Sequence, residues 1–193
     1  RTSGTITPKS DAFGSGRFPL ARQFTRQIKE GELHETLYTY SGHYGFGSGA
    51  LPQDVAIDNS GNIYIAHSST VEKYSSSGNS LMTFSTSKET KGVAVDSSGN
   101  VYAAVSNANV IQKFGPSGNQ ILSFGDYGTG AGEFSRPMRI ALDNSGNIYV
   151  ADKSNNRIQK FDSSGNYLMT ITGNLTEPKG VTVDNNGNIY VAD

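Results

Sequence analysis

Four aspartates recur in one setting: Asp58, Asp96, Asp143 and Asp184 each open an Asp-x-x-Gly-Asn phrase followed by Ile-Tyr or Val-Tyr. Closely spaced side-chain oxygens in a tight turn are the raw material of calcium sites. These turns meet the requirement poorly. No copy has carboxylates at alternate positions, and none has a glutamate downstream to grip the ion through both oxygens. The simpler chemistry is structural, with each carboxylate accepting hydrogen bonds from its own turn backbone. No metal site is expected, and no cofactor.

Against the regularity of the repeats, a few residues break register. The position before the apolar pair of the first strand is Gly92 and Gly180 in two copies, but Asp54 and Arg139 in the others. The end of the second strand is Asp152 and Asp193 in two copies, but His67 and Val105 in the others. Asp54, His67, Arg139, Asp152 and Lys153 are therefore candidates for a polar rim that binds a ligand. Arg136 and Lys179 join them as basic residues of the connecting loops, with Lys88 and Lys91. Asp152 and Arg157 also suit a structural ion pair tying the second strand to the third. Only His67 comes from the repeats, since His34 and His43 precede them, and one histidine cannot make a zinc site. The chain has no cysteine, which removes disulfides, thiolate metal sites and a thiol nucleophile.

The elements that must position these residues follow one plan. The steps between the four aspartates are 38, 47 and 41 residues. A period of about 40 built from short strands is the signature of a propeller or a related array. Each repeat begins with a small apolar strand, as in Val55-Ala56-Ile57 or Val93-Ala94-Val95, and turns at Gly-Asn. A second strand follows, then a third centred on Val71-Glu72-Lys73-Tyr74, Ile111-Gln112-Lys113-Phe114 or Ile158-Gln159-Lys160-Phe161. A second Gly-Asn turn leads to a fourth strand. Glycine enters positive φ without steric cost, so both turns can reverse the chain tightly. One such sheet cannot bury both faces, and stacking copies around an axis solves this.

The phrases Pro178-Lys179-Gly180-Val181-Thr182-Val183-Asp184, Gly146-Asn147-Ile148-Tyr149-Val150-Ala151-Asp152 and Asn155-Asn156-Arg157-Ile158-Gln159-Lys160-Phe161 closely resemble NHL repeats. So does the connector Phe124 to Pro137. The resemblance covers about residues 44–193. It implies an all-β fold: a β-propeller of four-stranded antiparallel blades. Three full blades are expected, near 52–84, 92–124 and 137–171, with partial ones at the ends, as part of a ring that is usually six-bladed. Residues 179–193 supply the first two strands of another blade, and a strand at Glu35–Tyr40 the last of one. Either the propeller continues beyond residue 193, or the 35–40 strand closes a small ring of four. The first is preferred, because an open edge leaves backbone unpaired. NHL propellers serve as protein- and RNA-binding platforms, as sensor ectodomains and, in a few branches, as metal-assisted lyases or lactonases with His and acidic residues near the axis. A fold shared so widely leaves function to the site.

Residues 1–34 stand outside the repeats and read as a basic N-terminal arm ahead of the propeller at 35–193. Residues 1–29 carry six cations against Asp11 alone, a net of +5, which leaves −6 for the rest of a chain whose total is −1. Phe13, Phe18, Phe24 and Ile28, beside Arg17, Arg22 and Arg26, give this arm apolar anchors as well as charge, and Phe24 and Ile28 have the spacing of a short helix. Such a segment can be a flexible tail, or it can dock on a neighbouring subunit by strand addition or in a groove. Nucleic acid is not expected as a partner, because Glu89, Glu133 and Glu177 interrupt the cations of the loops. No apolar run approaches the length of a membrane span. The chain begins with Arg1 and has no signal-peptide pattern, so either an N-terminal piece was removed or the sequence is expected to be a fragment. Asn174-Leu175-Thr176 is a glycosylation sequon on an expected exposed loop.

From these features we expect a non-enzymatic interaction and structural module. It would be a surface-exposed subunit of a larger extracellular assembly, such as a filament, a surface layer or a virion appendage. The arm would be its assembly contact, and its partners proteins, copies of itself among them. The alternatives are a fragment of a metal-dependent NHL-type lyase or lactonase, and a sensor or ligand-binding ectodomain.

Overall fold

The computed structural model describes residues 51–193. The strand expected at Glu35–Tyr40, His34, His43 and the arm candidates Phe13, Arg17, Phe18, Arg22, Phe24, Arg26 and Ile28 lie outside the described residues. Within them the repeats become separate antiparallel sheets. The first blade holds β1 (Pro52–Ile57), β2 (Ile63–His67), β3 (Thr70–Tyr74) and β4 (Ser80–Ser85), hydrogen-bonded in chain order. The second holds β5 (Thr90–Val95), β6 (Val101–Val105), β7 (Val110–Phe114) and β8 (Gln120–Phe124). The third holds β9 (Pro137–Leu142), β10 (Ile148–Asp152), β11 (Arg157–Phe161) and β12 (Tyr167–Ile171). A pair, β13 (Gly180–Val183) and β14 (Ile189–Ala192), begins a fourth.

The Asp-x-x-Gly-Asn phrase explains the first hairpin of each blade. Asp58 Oδ1 accepts from the backbone N–H groups of Ser60 and Asn62, both at 2.9 Å, and Gly61 N–H donates back to Asp58 O. Gly61 sits at φ +79°, a left-handed conformation that a Cβ would disfavour. Asp58 Oδ2 accepts from the Asn62 amide at 2.8 Å and from the Tyr64 hydroxyl at 3.0 Å. Asp96, Asp143 and Asp184 repeat all four bonds. Each is therefore a turn builder.

The ladder then places a lysine against that tyrosine. Tyr64 pairs with Lys73, Tyr102 with Lys113 and Tyr149 with Lys160. The ammonium groups lie 5.0, 4.8 and 5.0 Å from the ring centroids, a cation–π distance. Burial alone would raise the carboxyls of Asp58, Asp96 and Asp143. The asparagine side chain and backbone, the tyrosine hydroxyl and the serine N–H outweigh it and hold all three below the ordinary 3.8. Burial and the facing carboxylate push the Tyr64 and Tyr102 hydroxyls well above the usual tyrosine value.

Blades pack face to face, and the core lies in the joints. Tyr64, Ala66, Val71 and Phe84 of the first blade bury against Val93, Val101, Ala103, Val105 and Phe114 of the second. Ala94, Tyr102, Ala104 and Ile111 of the second then meet Ile140, Ile148, Val150 and Phe161 of the third. Tyr149, Ala151 and Ile158 of the third face Val181, Val183, Ile189 and Val191. A second strand in the middle of this stack is covered on both sides. That is why Val101–Val105 and Ile148–Asp152 are buried along their whole length and carry no alternation.

Candidate functional site

The register-breaking residues gather where the first strands begin. The first strand of each of the three four-stranded blades has a β-bulge there, between Pro52 and Asp54, between Thr90 and Gly92, and beside Pro137. A bulge re-aims side chains and is common beside sites. Here it lets Asp54 reach two blades at once. One carboxylate oxygen accepts from Val93 N–H of β5 at 2.9 Å. The other is ion-paired with the Arg139 guanidinium of β9. Arg139 thus spans the second blade to meet the first, and it passes Gly92 on the way. A Cβ at Gly92 would lie 2.2 Å from Met138 O and 2.9 Å from Arg139 Cα, so only glycine admits this crossing. Pro52, Gln53, Asp54, Val55, Ile65 and Arg139 line an open groove of about 370 Å³ at this end. Lys91 leans over it and donates to Glu89 at 2.6 Å and to Gln53 at 3.1 Å.

Asp152 occupies a different place from the rim proposed for it. It is buried, and its carboxylate accepts from Ser135 N–H at 2.7 Å, from Asn155 Nδ2 and Arg157 Nε at 2.8 Å, and from Gln159 Nε2 at 3.3 Å. Arg157 is the structural partner that its spacing suggested. It also donates to the carbonyls of Thr129, Gly130 and Glu133 at 2.6, 2.8 and 2.8 Å, and so moulds the long connector between the second and third blades. Lys153 is half-buried and reaches Glu177 at 3.4 Å. His67 is buried, with Nε2 at 3.1 Å from Glu72 and 3.3 Å from Thr70 Oγ1. Glu72 also accepts from the Tyr74 hydroxyl, which burial and then Glu72 push up to about 12. Arg136 and Lys179 are exposed. The structure therefore brings Asp54 and Arg139 together, but buries Asp152 against Arg157, pairs Lys153 with Glu177 and leaves His67 on the first blade facing Glu72.

Several residues that hold these loops carry no signal that the repeats alone reveal. Asn109 and Asn156 sit in the left-handed region at φ 58° and 53°. Their side-chain oxygens accept from Arg136 N–H and Glu177 N–H at 2.9 and 2.8 Å, clamping the connector into the next blade. Gln112 and Gln159, midway along the third strands, take Ser87 N–H and Gly132 N–H at 3.0 and 2.9 Å. Asparagine's tolerance of positive φ is the one sequence cue to the first pair. Among the described residues, no group of three or more His, Cys, Asp or Glu side chains converges. No helix among them is long and apolar enough to cross a membrane.

Comparison with known proteins bears on the fold. Residues 134–161 match the NHL repeat, and residues 165–192 match a beta-propeller repeat. No curated protein matches the chain. Among solved structures, streptogramin B lyase is similar at 16% identity and a TM-score of 0.61, over 72% of this chain and 47% of its own. A protein of unknown function from Bacteroides caccae is similar at 19% identity and a TM-score of 0.61, over 77% of this chain and 55% of its own. Hydrazine synthase of Kuenenia stuttgartiensis is similar at 16% identity and a TM-score of 0.62, over 74% of this chain and 44% of its own. The chain thus spans about half the length of these structures, and identities this low carry the fold alone. With four-stranded blades joined face to face, an NHL match and a second propeller-repeat match, the chain is a β-propeller repeat protein that carries an NHL repeat at residues 134–161.

Proposed function

We propose that the chain is a non-enzymatic interaction and structural module, a surface-exposed subunit of a larger extracellular assembly such as a filament, a surface layer or a virion appendage. The observation that carries this reading is how the charges around the loops are used. Asp54 closes on Arg139, Lys91 on Glu89, Lys153 on Glu177 and Asp152 on Arg157. A general acid or base must reach a substrate proton, and these groups are instead engaged with one another, Asp54 with Arg139 across blades and Lys153 with Glu177 across a connector. In this reading residues 1–34 are the assembly contact. Their net +5 and the anchors Phe13, Phe18, Phe24 and Ile28 suit docking on a neighbour whose repeats are acidic.

The test is the elution volume of the whole chain against a chain lacking residues 1–34. Association that disappears with the arm supports the reading, and a whole chain that elutes as a monomer, unchanged by the deletion, sinks it. A second reading, a fragment of a metal-dependent lyase or lactonase, draws on the likeness to streptogramin B lyase. Stoichiometric divalent metal in the purified protein, found by elemental analysis, would favour it.

A further inference from the structure

The four Asp-x-x-Gly-Asn turns share their hydrogen bonds but not the residue before glycine. Three copies place serine there, Ser60, Ser98 and Ser145, and the fourth places Asn186. Asn186-Gly187 is the one Asn-Gly step in the sequence. The position is exposed in all four copies, so its contact with water belongs to the turn itself and not to what packs beside any one blade. Asn62, Asn100, Asn147 and Asn188 close these turns with their side-chain amides on the aspartate, and each is followed by Ile or Val. Asn186 differs on both counts. Its backbone N–H donates to Asp184 Oδ1 at 2.9 Å, but among the described residues its side-chain amide has no hydrogen-bond partner. The residue after it has no side chain, and a Cβ added to Gly187 would meet nothing within 4 Å.

We propose that Asn186 is a self-modifying site, which loses ammonia and rearranges with water as its only reagent. The Gly187 backbone nitrogen gives up its proton and attacks Asn186 Cγ. A new N–C bond forms, the bond from Cγ to the side-chain nitrogen breaks, and that nitrogen leaves as ammonia with the proton Gly187 released. Water then opens the five-membered imide at either carbonyl. One opening gives aspartate at 186, and the other gives isoaspartate, in which the main chain runs through the former side chain. Glycine suits this step because no Cβ shields its nitrogen or limits its backbone. Gly187 N–H donates to Asp184 O at 3.0 Å, so the turn must open locally to react, and the folded chain reacts more slowly than an unfolded one. The two products act differently on the fold. Aspartate keeps the length of the turn. Isoaspartate adds a backbone methylene inside the loop that Asp184 closes, through Oδ1 on Asn188 N–H at 2.8 Å and its own N–H on Asn188 O at 3.0 Å. It therefore loosens the β13–β14 hairpin, which packs on Tyr149, Ala151 and Ile158 of the third blade. The result is an irreversible, age-dependent mark on one joint of the propeller. The reaction needs neither a partner nor the assembly role proposed above.

The experiment incubates the whole chain for weeks at mildly alkaline pH, folded in buffer and, in parallel, unfolded in guanidinium. Asn186→Ser, which copies the other three turns, is the matched variant. Trypsin cuts after Lys179, and the peptide that begins at Gly180 is followed by mass spectrometry. In the folded chain this peptide is expected to gain the mass difference between amide and acid, and to split into aspartate and isoaspartate forms with isoaspartate the larger. Hydroxylamine, which cleaves the imide, should cut the ageing chain between 186 and 187. The unfolded chain should convert several-fold faster, and Asn186→Ser should lose most of the conversion and all of the cleavage. A folded chain whose Gly180 peptide stays unchanged overturns the proposal, whether or not the unfolded chain reacts. An Asn186→Ser chain that converts as fast as the unaltered one overturns it too, as does equal conversion at the other turn asparagines.

Discussion

Replacing Arg157 by valine strands the Asp152 carboxylate. That group is 0% exposed, and among the described residues Arg157 provides its only cationic partner, at 2.8 Å. The substitution also removes the guanidinium's hydrogen bonds to the Thr129, Gly130 and Glu133 carbonyls. Breaking a buried pair from one side costs about 3–5 kcal/mol, because the remaining charge is uncompensated. Ser135 N–H, Asn155 and Gln159 still donate to Asp152, which places the expected loss toward the lower end, about 3 kcal/mol. The protein itself contains the control. The second blade has Val105 opposite Val110 at the ladder positions where the third has Asp152 opposite Arg157. The double substitution D152V/R157V should therefore cost less than Arg157→Val alone, about 1–2 kcal/mol, chiefly for the Thr129 carbonyl that loses its donor, since Gly130 O keeps Glu133 N–H and Glu133 O keeps Gln159 Nε2. Equilibrium unfolding in urea at neutral pH measures both. A single variant within about 1 kcal/mol of the unaltered chain, or a double variant less stable than the single, refutes the claim that Asp152 is a buried, paired structural charge.

Gly92→Ala should cost about 1–3 kcal/mol or more, since its Cβ meets the Met138 backbone at 2.2 Å, whereas Gly180→Ala, whose Cβ would sit 3.2 Å from Ala192 Cβ, should cost less; urea midpoints compare the two. Acid should unfold the protein partly through the turn carboxylates. Asp58, Asp96 and Asp143 are held below their ordinary 3.8, so the stability they contribute is complete above that value and drains as pH falls through their folded values. A chain with all three changed to asparagine should show a flatter fall in melting temperature between about pH 4 and pH 2. Asn156→Ala should cost about 1–2 kcal/mol in the same urea assay, through the lost bond to Glu177 N–H and the left-handed backbone that alanine tolerates badly.

The blades were legible because one local phrase carries their architecture. Asp58 and its three equivalents fix a turn through four hydrogen bonds that all fall within six residues, so spacing alone reveals them. The pairing of Asp152 with Arg157 was readable for the same reason, since a hairpin brings them opposite each other. Asp54 and Arg139 stood out as departures from the repeat, but their partnership did not. They lie on different blades, and the contact depends on a bulge and on the absence of a side chain at Gly92. The burial of Asp152 was hidden for a related reason. It follows from the connector folding back over the third blade, with Ser135, Asn155, Arg157 and Gln159 closing around one carboxylate. Gln112 and Gln159 look like ordinary strand residues until the connectors are in place.

If the residues that break the repeat are clasps between blades, Asp54 and Arg139 must be energetically coupled. A double-mutant cycle with Asp54→Ala, Arg139→Ala and the combined variant measures that coupling by urea unfolding at low ionic strength. Both groups are partly exposed, so a modest favourable coupling of about 0.5–1 kcal/mol is expected, weakening as salt is raised. Strictly additive losses, independent of salt, would contradict the clasp and return both residues to the surface as free groups available for binding or chemistry.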